Sequence, residues 1–462
     1  MTDLDTSAKR ENKMGIDPVG RLLASMAWPA ILSMTINALY NLVDSIFVGM
    51  ISKEAFTALS IVMPMQFLLI AFGVGSAVGL NSLISRRLGA RNQEDADKAA
   101  SSSFRIAGFN YLLFLFLGLF VAKPFAGLFT NDPVTLNAAV TYMRIVLCFS
   151  LFSMVDMALE KVLQATGNMV SPMIISVSGA VTNLVLDPIL IFGLGPIPAM
   201  GVAGAATATV TGQLVAMSLA MFIVFRKEHL VRVQLFGFKT DWRIIREIYA
   251  VGLPGIVMQA IGSFMLFGYN WILAENPTAL FVLGSYYKLQ SFVFMPVFGI
   301  GQGAMPMMGF NYGARNKARL METYRKALLA SGCIMGVGCA LFQLFPEALL
   351  SIFSADAETY RIGVPALRLI SLCFLPAAFG ITSSIMFQAL GHGVYSLVGS
   401  LLRQLIGILP IAYILYHLYG VTISWMAFPL AEVIGLTYSA IMLRHLYIHK
   451  IKWLEEPRDF IG

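Results

Sequence analysis

The sequence predicts an all-α integral membrane protein with twelve transmembrane helices in two parallel-related six-helix lobes. Three observations lead to this prediction. The 462-residue chain is 58% hydrophobic, only 12% charged and has a mean hydropathy of +0.76, whereas soluble domains carry about 25% charged residues. Its apolar runs are long and continuous, unlike the short alternating segments of a membrane β-barrel. Several short motifs also recur in the same order in both halves of the chain.

The apolar runs between charged or turn-rich breaks give twelve predicted spans. They cover residues 22–50, 56–84, 99–123, 134–164, 170–194, 200–226, 244–274, 280–305, 324–345, 358–390, 395–418 and 421–449. The chain then divides into a cytoplasmic tail, an N-terminal lobe, a cytoplasmic linker, a C-terminal lobe and a second cytoplasmic tail, at 1–20, 21–226, 227–243, 244–450 and 451–462. Asp17 and Pro18 are predicted to cap and open the first helix.

Lysine and arginine cluster in alternate connectors. The clusters are Lys9, Arg10, Lys13, Arg21; Arg86, Arg87, Arg91, Lys98; Arg226, Lys227, Arg232, Lys239, Arg243, Arg246; Arg315, Lys317, Arg319, Arg325, Lys326; and Arg444, Lys450, Lys452, Arg458. The other connectors are nearly bare, with Lys53, Lys123 and Arg361 as exceptions. This positive-inside pattern predicts a multi-pass protein of the bacterial cell (inner) membrane with both termini in the cytoplasm. It also accounts for the net charge of +7 without a nucleic-acid partner.

The two halves of the chain resemble each other. The matching pairs, at an offset close to 224 residues, are "GARN" at 89–92 and 313–316, "GVG" at 73–75 with "GIG" at 299–301, and "LQATGN" at 163–168 with "FQALGH" at 387–392. Each half holds six predicted spans, an even number, so the repeat is parallel, about an axis along the membrane normal. Such a duplication favours a transporter that moves two lobes around a central site.

Ionisable side chains at membrane depth are rare and usually functional. The N-terminal lobe has four acids, whereas the C-terminal lobe has two bases and one acid: Asp44, Asp156, Glu160 and Asp187, then Lys288, Arg403 and Glu432. A coupling cation is therefore expected in the N-terminal lobe.

Two of these acids are predicted to lie at a similar depth. Asn37, Asn41 and Asp44 share one face of the first span, at spacing i, i+4, i+7. Asn183 and Asp187, at i, i+4, share a face of the fifth span, and each aspartate precedes the outer end of its helix by about six residues. The alternatives are an Asp44 that extends to the outer interface and an Asp187 that is a turn residue at a fraying helix end.

The sixth span is predicted to add a hydroxyl group. Thr209 lies at about the depth of the two aspartates, with Thr207 and Thr211 as close alternatives. Small residues around it, including Ala205, allow neighbouring helices to approach closely.

The remaining charged residues have two interpretations each. Asp156 and Glu160, at i, i+4 on the fourth span, either line the substrate pathway or form a structural ion pair with Lys161. The two bases of the C-terminal lobe either partner its acid or backbone carbonyls, or they take part in gating.

The substrate surface is predicted to be apolar and adaptable. The chain contains 26 methionines, many in the spans, and methionine suits promiscuous binding because it is flexible and polarizable. The alternative for any single methionine is packing or contact with lipid. The candidate substrate-pathway residues are Tyr40, Met34, Met65, Met258, Met295, Asp156, Glu160, Tyr287, Lys288 and Gln290.

The acid pair leaves two coupling ions open. Two buried carboxylates cannot both ionise cheaply, so they can hold one shared proton. The same oxygens, with asparagine carbonyls and a threonine hydroxyl, can instead bind Na⁺. Neither cofactor nor metal is expected, since the four cysteines lack CxxC spacing and the five histidines lack ligand spacing. The coupling ion is therefore predicted as H⁺ or Na⁺.

The motifs together resemble the multidrug and toxic compound extrusion (MATE) family, in particular its DinF-like branch, over about residues 15–450. The resemblance rests on "YNLVDSIFVG", "SRRLGARN", "GFNYGARN", "QATGN", "NLVLDPIL" and "GVAGAATAT". It implies a V-shaped bundle that alternates between inward- and outward-open states. It also implies a cation site at Asp44, Asn183, Asp187, Thr209 and Ala205. The seventh and tenth spans lack the acids that one branch of the family carries, so a second cation site there is not expected.

The predicted function is multidrug efflux by antiport. Organic, mostly cationic and amphiphilic compounds leave as H⁺ or Na⁺ enters, and Pro188, which cannot donate to the carbonyl of Leu184, acts as a hinge. The expected partners are small-molecule drugs or toxins and membrane lipids, and the expected unit is a functional monomer. The alternatives are a flippase for lipid-linked precursors, which wants a more cationic cavity, a channel, and an intramembrane enzyme, for which no catalytic motif is present.

Overall fold

The computed structural model describes residues 12–226, 230–235, 241–353 and 356–454, and these residues are almost entirely helical. Ten helices are long and apolar enough to cross a membrane, and two further helix pairs, each bent by 46°, complete twelve crossings. The prediction of an all-α membrane protein with twelve spans is confirmed. The predicted tails and linker lie partly outside the described residues, at 1–11, 227–229, 236–240 and 455–462.

The twelve crossings follow the chain in order. They are α1 Val19–Ile51, α2 Lys53–Gly89, α3 Gln93–Gly127, α4 Pro133–Cys148 with Leu151–Ala165, α5 Val170–Phe192, α6 Val202–Arg226, α7 Trp242–Ile272, α8 Pro277–Gly313, α9 Lys317–Leu344, α10 Ala357–Ser371 with Phe374–Ala389, α11 Gly393–Tyr419 and α12 Val421–Ile451. α4 and α10 are each bent within the predicted spans 134–164 and 358–390.

α2 and α8 are much longer than the predicted spans 56–84 and 280–305. Each has 37 residues, or about 55 Å at 1.5 Å per residue, against a hydrocarbon core of ~30 Å. Side-chain caps extend them: Ser52 Oγ accepts from the Ala55 amide at 3.0 Å, and Asn276 Oδ1 accepts from the Ala279 amide at 2.9 Å. Hydropathy alone misses such polar helix ends because they lie outside the apolar run.

The two GARN loops, 89–92 and 313–316, adopt the same conformation. Arg91 and Arg315 take left-handed backbone angles, with φ of 56° and 58°. Asn92 Oδ1 accepts from the Asp95 amide at 3.0 Å, and Asn316 Oδ1 accepts from the Arg319 amide at 3.0 Å. Each motif therefore ends one long helix and caps the next, which explains why it recurs.

The N-terminal segment differs from the prediction of a tail over residues 1–20. Residues Lys13–Ile16 form a helical turn, and Met14 is fully buried. Arg319 donates to the carbonyls of Met14, at 3.1 Å, and of Asp17, at 2.7 Å. α1 starts at Val19 without a side-chain cap from Asp17. Burial of the Met14 side chain and these hydrogen bonds hold the described part of this segment in place.

Hydrophobic side chains form separate cores in the two halves. One core runs from Val48 to Val224, within α1–α6, and another runs from Met265 to Ala431, within α7–α12. A third cluster joins the halves, because it packs Met14 and the first turns of α1 against α8, α9 and α10. We call the side of this cluster the basic face: it carries the turn Lys13–Ile16, the two GARN loops and residues 452–454.

Glycines permit the close crossing of the two halves. α2 crosses α7, and α8 crosses α1, at glycines where an added methyl group would meet the partner helix. The contacts are Gly75 with Ile256, Gly79 with Ile248, Gly299 with Ile31, and Gly303 with Ala27. The two glycine pairs stand at the repeat offset. The loop glycines Gly89 and Gly313 are packed equally tightly, against Phe310 and Arg86. These contacts hold the halves together toward the basic face.

We call the packed boundary between the two halves the seam. Polar contacts also hold it together. Arg87 Nη2 on α2 lies 2.7 Å from Glu247 Oε2 on α7, and Arg243 Nη2 on α7 lies 2.9 Å from Asp95 Oδ1 on α3. These ion pairs close the basic face between the two halves.

Candidate cation site between α1 and α5

Asp44 and Asp187 meet in the N-terminal half. Their carboxyl groups lie within hydrogen-bonding reach of each other. Asp187 is fully buried, and Asp44 Oδ1 is buried without a hydrogen-bond partner. An ionised carboxylate can only accept hydrogen bonds, so two carboxylates side by side need a proton or another cation between them. The geometry of this pair suits a site that binds one small cation.

Asn183 and Thr209 complete one side of the pair. Asn183 is buried one turn below Asp187 and donates to its carboxylate, at 3.3 Å from Oδ1 or, with the amide flipped, at 3.2 Å from Oδ2. Thr209 Oγ1 lies 3.4 Å from the Asn183 amide nitrogen and donates to the Ala205 carbonyl at 3.1 Å. Thr207 and Thr211 instead donate to carbonyls on their own helix. Of the three threonines, Thr209 is the one that reaches the site.

Tight packing of α5 on α6 sets this geometry. A methyl group added at Gly204 would overlap the Leu190 carbonyl, and one at Gly212 would meet Gly179 and Asn183. Ala205 is fully buried at this contact. The small residues of α6 therefore bring Thr209 close to Asn183.

Tyr142 on α4 and Gln66 on α2 belong to the same cluster, and the sequence prediction missed both. Tyr142 is 1% exposed, accepts from Gln66 Nε2 at 3.0 Å, and lies within hydrogen-bonding reach of Thr209. Asp44 and Tyr40 act on it electrostatically. Tyr142 lies about as far from the start of α4 as Thr209 lies from the start of α6. This similar depth is the signal in the sequence that could have identified Tyr142.

The other predicted members of the cation site lie on α1. Asn37 is half-buried. The side chain of Asn41 lies outside the described residues. Tyr40 is half-buried near Tyr142.

Pro188 lies inside an unbroken α5, which continues to Phe192. Proline has no amide hydrogen, so the carbonyl of Leu184 receives no helical hydrogen bond from it. The predicted hinge is thus a weak point in a helix that is continuous in this structure.

Asp156 and Glu160 lie lower on α4, and the structural ion pair with Lys161 does not form at contact distance. Glu160 accepts from the Ser176 hydroxyl at 2.6 Å, and Asp156 Oδ1 is buried without a hydrogen-bond partner. Lys161 donates to Gln164 at 2.7 Å and, across the seam, to Gln302 on α8 at 2.9 Å. The lysine therefore links the two halves.

The predicted substrate-pathway residues make separate contacts in the two halves, and their role in the pathway stays a prediction. Met34 meets Gln302 across the seam, with the amide nitrogen 3.3 Å from its sulfur. Met65 packs on the N-terminal core, and Met258 lies 3.8 Å from Gln388 Nε2 in the C-terminal half. Tyr287 donates to Met265 Sδ at 3.5 Å. Met295 and Gln290 are half-buried.

Lys288 does not partner the acid of the C-terminal half. It is exposed, with its ammonium 5.8 Å from the ring centre of Phe353 in the connector before α10. Arg403 is the partner of that acid, Glu432. Its Nη1 lies 3.5 Å from both carboxylate oxygens of Glu432, which is 5% exposed. Arg403 lies in a π-helical stretch of α11, Leu401–Ile408.

A helical bundle with twelve crossings and an acid pair buried between helices defines the protein as a multi-pass membrane transporter. The chain belongs to the MATE family, since the MatE family model matches residues 29–189 and 247–414. The DinF-like branch stays a prediction. The family consists of transporters, which excludes the intramembrane-enzyme alternative.

Known proteins resemble the chain over most of its length. The multidrug export protein MepA of Staphylococcus haemolyticus is 25% identical over 403 residues, 85% of this chain and 86% of that protein. A FAD transporter of Shewanella oneidensis is 25% identical over 430 residues, 90% of this chain and 92% of that protein. A solved structure described as the outward-facing conformation of a multidrug resistance MATE family transporter is 25% identical, with a TM-score of 0.87, and covers 95% of this chain and 99% of that chain.

Proposed function

We propose that the protein exports organic, mostly cationic and amphiphilic compounds in exchange for H⁺ or Na⁺. The observation that carries this proposal is the buried contact between Asp44 and Asp187. Two like charges at that spacing repel unless a cation neutralises them, so occupancy of the site changes the local electrostatic energy strongly. A site of this kind can couple the gradient of a small cation to a change in the protein, in addition to any recognition of the drug.

Alternating access links the ion to the drug. The positive-inside pattern supports a cytoplasmic basic face, and the packed seam there supports a state that is closed to the cytoplasm. Cation binding at the acid pair relieves the repulsion and lets α5 bend at Pro188, and drug affinity falls. A ligand shifts such an equilibrium only if its affinity differs between the two states. The acid pair binds a cation with different affinity in the two states if the distance between its carboxyl groups differs between those states.

The relatives support transport of small organic molecules but differ in their substrates. One is named as a multidrug exporter and another as a FAD transporter. The acidic N-terminal half favours cationic substrates for this chain. A flippase for lipid-linked precursors is the alternative, and it requires a cationic cavity for the pyrophosphate.

Transport in proteoliposomes tests the proposal. The purified chain is reconstituted, a cationic dye is loaded, and extrusion is measured under an imposed pH gradient with and without Na⁺. We expect gradient-driven extrusion that Asp44→Asn and Asp187→Asn each reduce by roughly ten-fold or more, which corresponds to about 1.4 kcal/mol. Glu54→Gln is the matched control, because Glu54 is an exposed acid in the first turn of α2.

Four outcomes decide between the candidates. Extrusion that depends on Na⁺ at constant pH identifies Na⁺ as the coupling ion, and extrusion driven by the pH gradient alone identifies H⁺. Unchanged extrusion in both aspartate variants contradicts the proposed site. Translocation of a lipid-linked sugar without dye extrusion favours the flippase.

A further inference from the structure

A cavity of about 350 Å³ lies on the basic face, away from the acid pair. Arg86 and Arg87 line it from the end of α2, and Tyr312 and Arg315 line it from the end of α8. Trp453, just after α12, covers one side. The cavity therefore takes its wall from both halves of the chain, at the two GARN loops.

Two of the three guanidinium groups have no carboxylate partner among the described residues. Arg87 is neutralised by Glu247, at 2.7 Å, and by Asp95, at 3.5 Å. Arg86 uses only its Nε, which donates to the Ser82 carbonyl at 3.1 Å, and its two terminal nitrogens make no hydrogen bond within the described ranges. Arg315 is exposed at the cavity and forms no ion pair there.

Closure of the seam brings these positive charges together. Arg86 belongs to the N-terminal half and Arg315 to the C-terminal half, so in the packed arrangement each half contributes a positive charge to the wall of the cavity. Glu247 offsets part of this charge but is already bonded to Arg87. An oxyanion in the cavity would accept a charge-assisted hydrogen bond from each half, and guanidinium groups match the geometry of a phosphate especially well.

We propose that this cavity binds a phosphate group, which bridges the two halves and stabilises the arrangement closed at the basic face. The phosphate comes either from the headgroup of an anionic phospholipid or from a soluble phosphoester. Trp453, 71% exposed with the Lys452 ammonium 5.5 Å from its ring, suits the polar interface where headgroups lie. The phosphate site lies on the basic face, apart from the acid pair, so its occupancy can be measured without transport.

Binding to the full-length protein in nanodiscs tests this site without any transport. One arm uses phosphatidylcholine discs with increasing fractions of phosphatidylglycerol, and the other uses pure phosphatidylcholine discs with added inorganic phosphate at constant ionic strength. The readouts are the rise in thermal unfolding midpoint and the distance between spin labels on the two halves at the basic face. We expect a saturable rise in midpoint and a shorter distance in at least one arm, which also identifies the source of the phosphate.

Matched variants assign the binding to the cavity. Arg315→Gln and Arg86→Lys are expected to weaken the apparent affinity by roughly ten-fold or more, the usual worth of a hydrogen bond to a charged group. Arg325→Gln, which removes an exposed charge on α9 outside the cavity, is expected to leave the affinity unchanged.

Several results would overturn the proposal. They are the absence of saturable binding in both arms, an equal loss of affinity in Arg325→Gln, and full affinity in both Arg315→Gln and Arg86→Lys. Binding that appears only in Glu455→Gln/Glu456→Gln would also overturn it, since the cavity would then serve the carboxylates that follow Leu454 in the sequence.

Discussion

Asp44 on α1 and Asp187 on α5 place their carboxyl groups within hydrogen-bonding reach of each other, in a region with few other charges. An asparagine at position 44 resembles the protonated member of the pair, because its amide can donate to the remaining carboxylate. We therefore expect Asp44→Asn to hold the protein in the conformation of the cation-bound state. The measurement is the distance between spin labels on α1 and α7 as a function of pH and Na⁺. In the wild type, the distance should change with either pH or Na⁺. In Asp44→Asn it should change with neither, and in Glu54→Gln it should change as in the wild type.

The hydroxyl group of Tyr142 connects Gln66 to Thr209 beside the acid pair. Tyr142→Phe removes the acceptor for Gln66 Nε2 and the contact with Thr209 but keeps the ring. A typical buried hydrogen bond contributes about 1 kcal/mol, so we expect the cation concentration for half-maximal dye extrusion to change by roughly three- to ten-fold, with little loss of folded protein. Tyr111→Phe, at a half-buried tyrosine on α3, is the control. An unchanged cation dependence in Tyr142→Phe would exclude a role for this hydroxyl.

Gly79 allows α2 to touch α7. A methyl group there would overlap the Ile248 carbonyl, and a well-packed contact cannot absorb such an overlap cheaply. We expect Gly79→Ala to separate the two halves at the basic face, measured as increased labelling, by a water-soluble maleimide, of cysteines introduced between α2 and α7. Gly108→Ala is the control, because nothing lies within 4 Å of the added methyl group and alanine favours a helix. Equal labelling of both variants would contradict the role of the glycine seam.

Glu247 links α7 to α2 through Arg87. Both side chains are about one-third exposed, at 32% and 27%, so the pair contributes about 1 kcal/mol or less. Glu247→Gln is expected to shift the population modestly from the closed toward the open basic face, and more strongly at low salt, in label-distance measurements. Glu94→Gln removes a comparable pair, Glu94 with Lys98, within α3 alone. If both substitutions shift the population equally, the effect is one of net charge and not of the link.

Glu432 forms a largely buried ion pair with Arg403. Its side chain is 6% exposed, and Arg403→Gln leaves that carboxylate without its partner. Loss of one member of a buried pair costs about 3 kcal/mol, so the thermal unfolding midpoint should fall clearly. Arg361→Gln, in the exposed pair with Glu358, should change it little. Arg403→Met/Glu432→Leu should recover much of the loss, whereas a double variant as unstable as Arg403→Gln would contradict a purely structural role.

The sequence alone determined the class of protein and most of the candidate cation site. Long apolar runs must be helices in a membrane, because lipid cannot satisfy backbone hydrogen bonds. A single acid in such a run is costly and therefore conspicuous, which is why Asp44 and Asp187 could be chosen by inspection. Spacing of i, i+4 also placed Asn183 below Asp187 correctly.

Only the tertiary structure decided how these helices face one another. Spacing identifies a face of one helix but not the rotation of that helix against its neighbours, and here Gly204 and Gly212 set that rotation by admitting α5. Thr209 was thereby selected over Thr207 and Thr211, and Tyr142 joined the site. The same reason explains why Glu160 does not pair with Lys161 at contact distance. Lys161 lies beside Glu160 in the sequence, yet it bonds Gln302 on α8, because the packing of separate helices at the seam is not encoded by any local pattern.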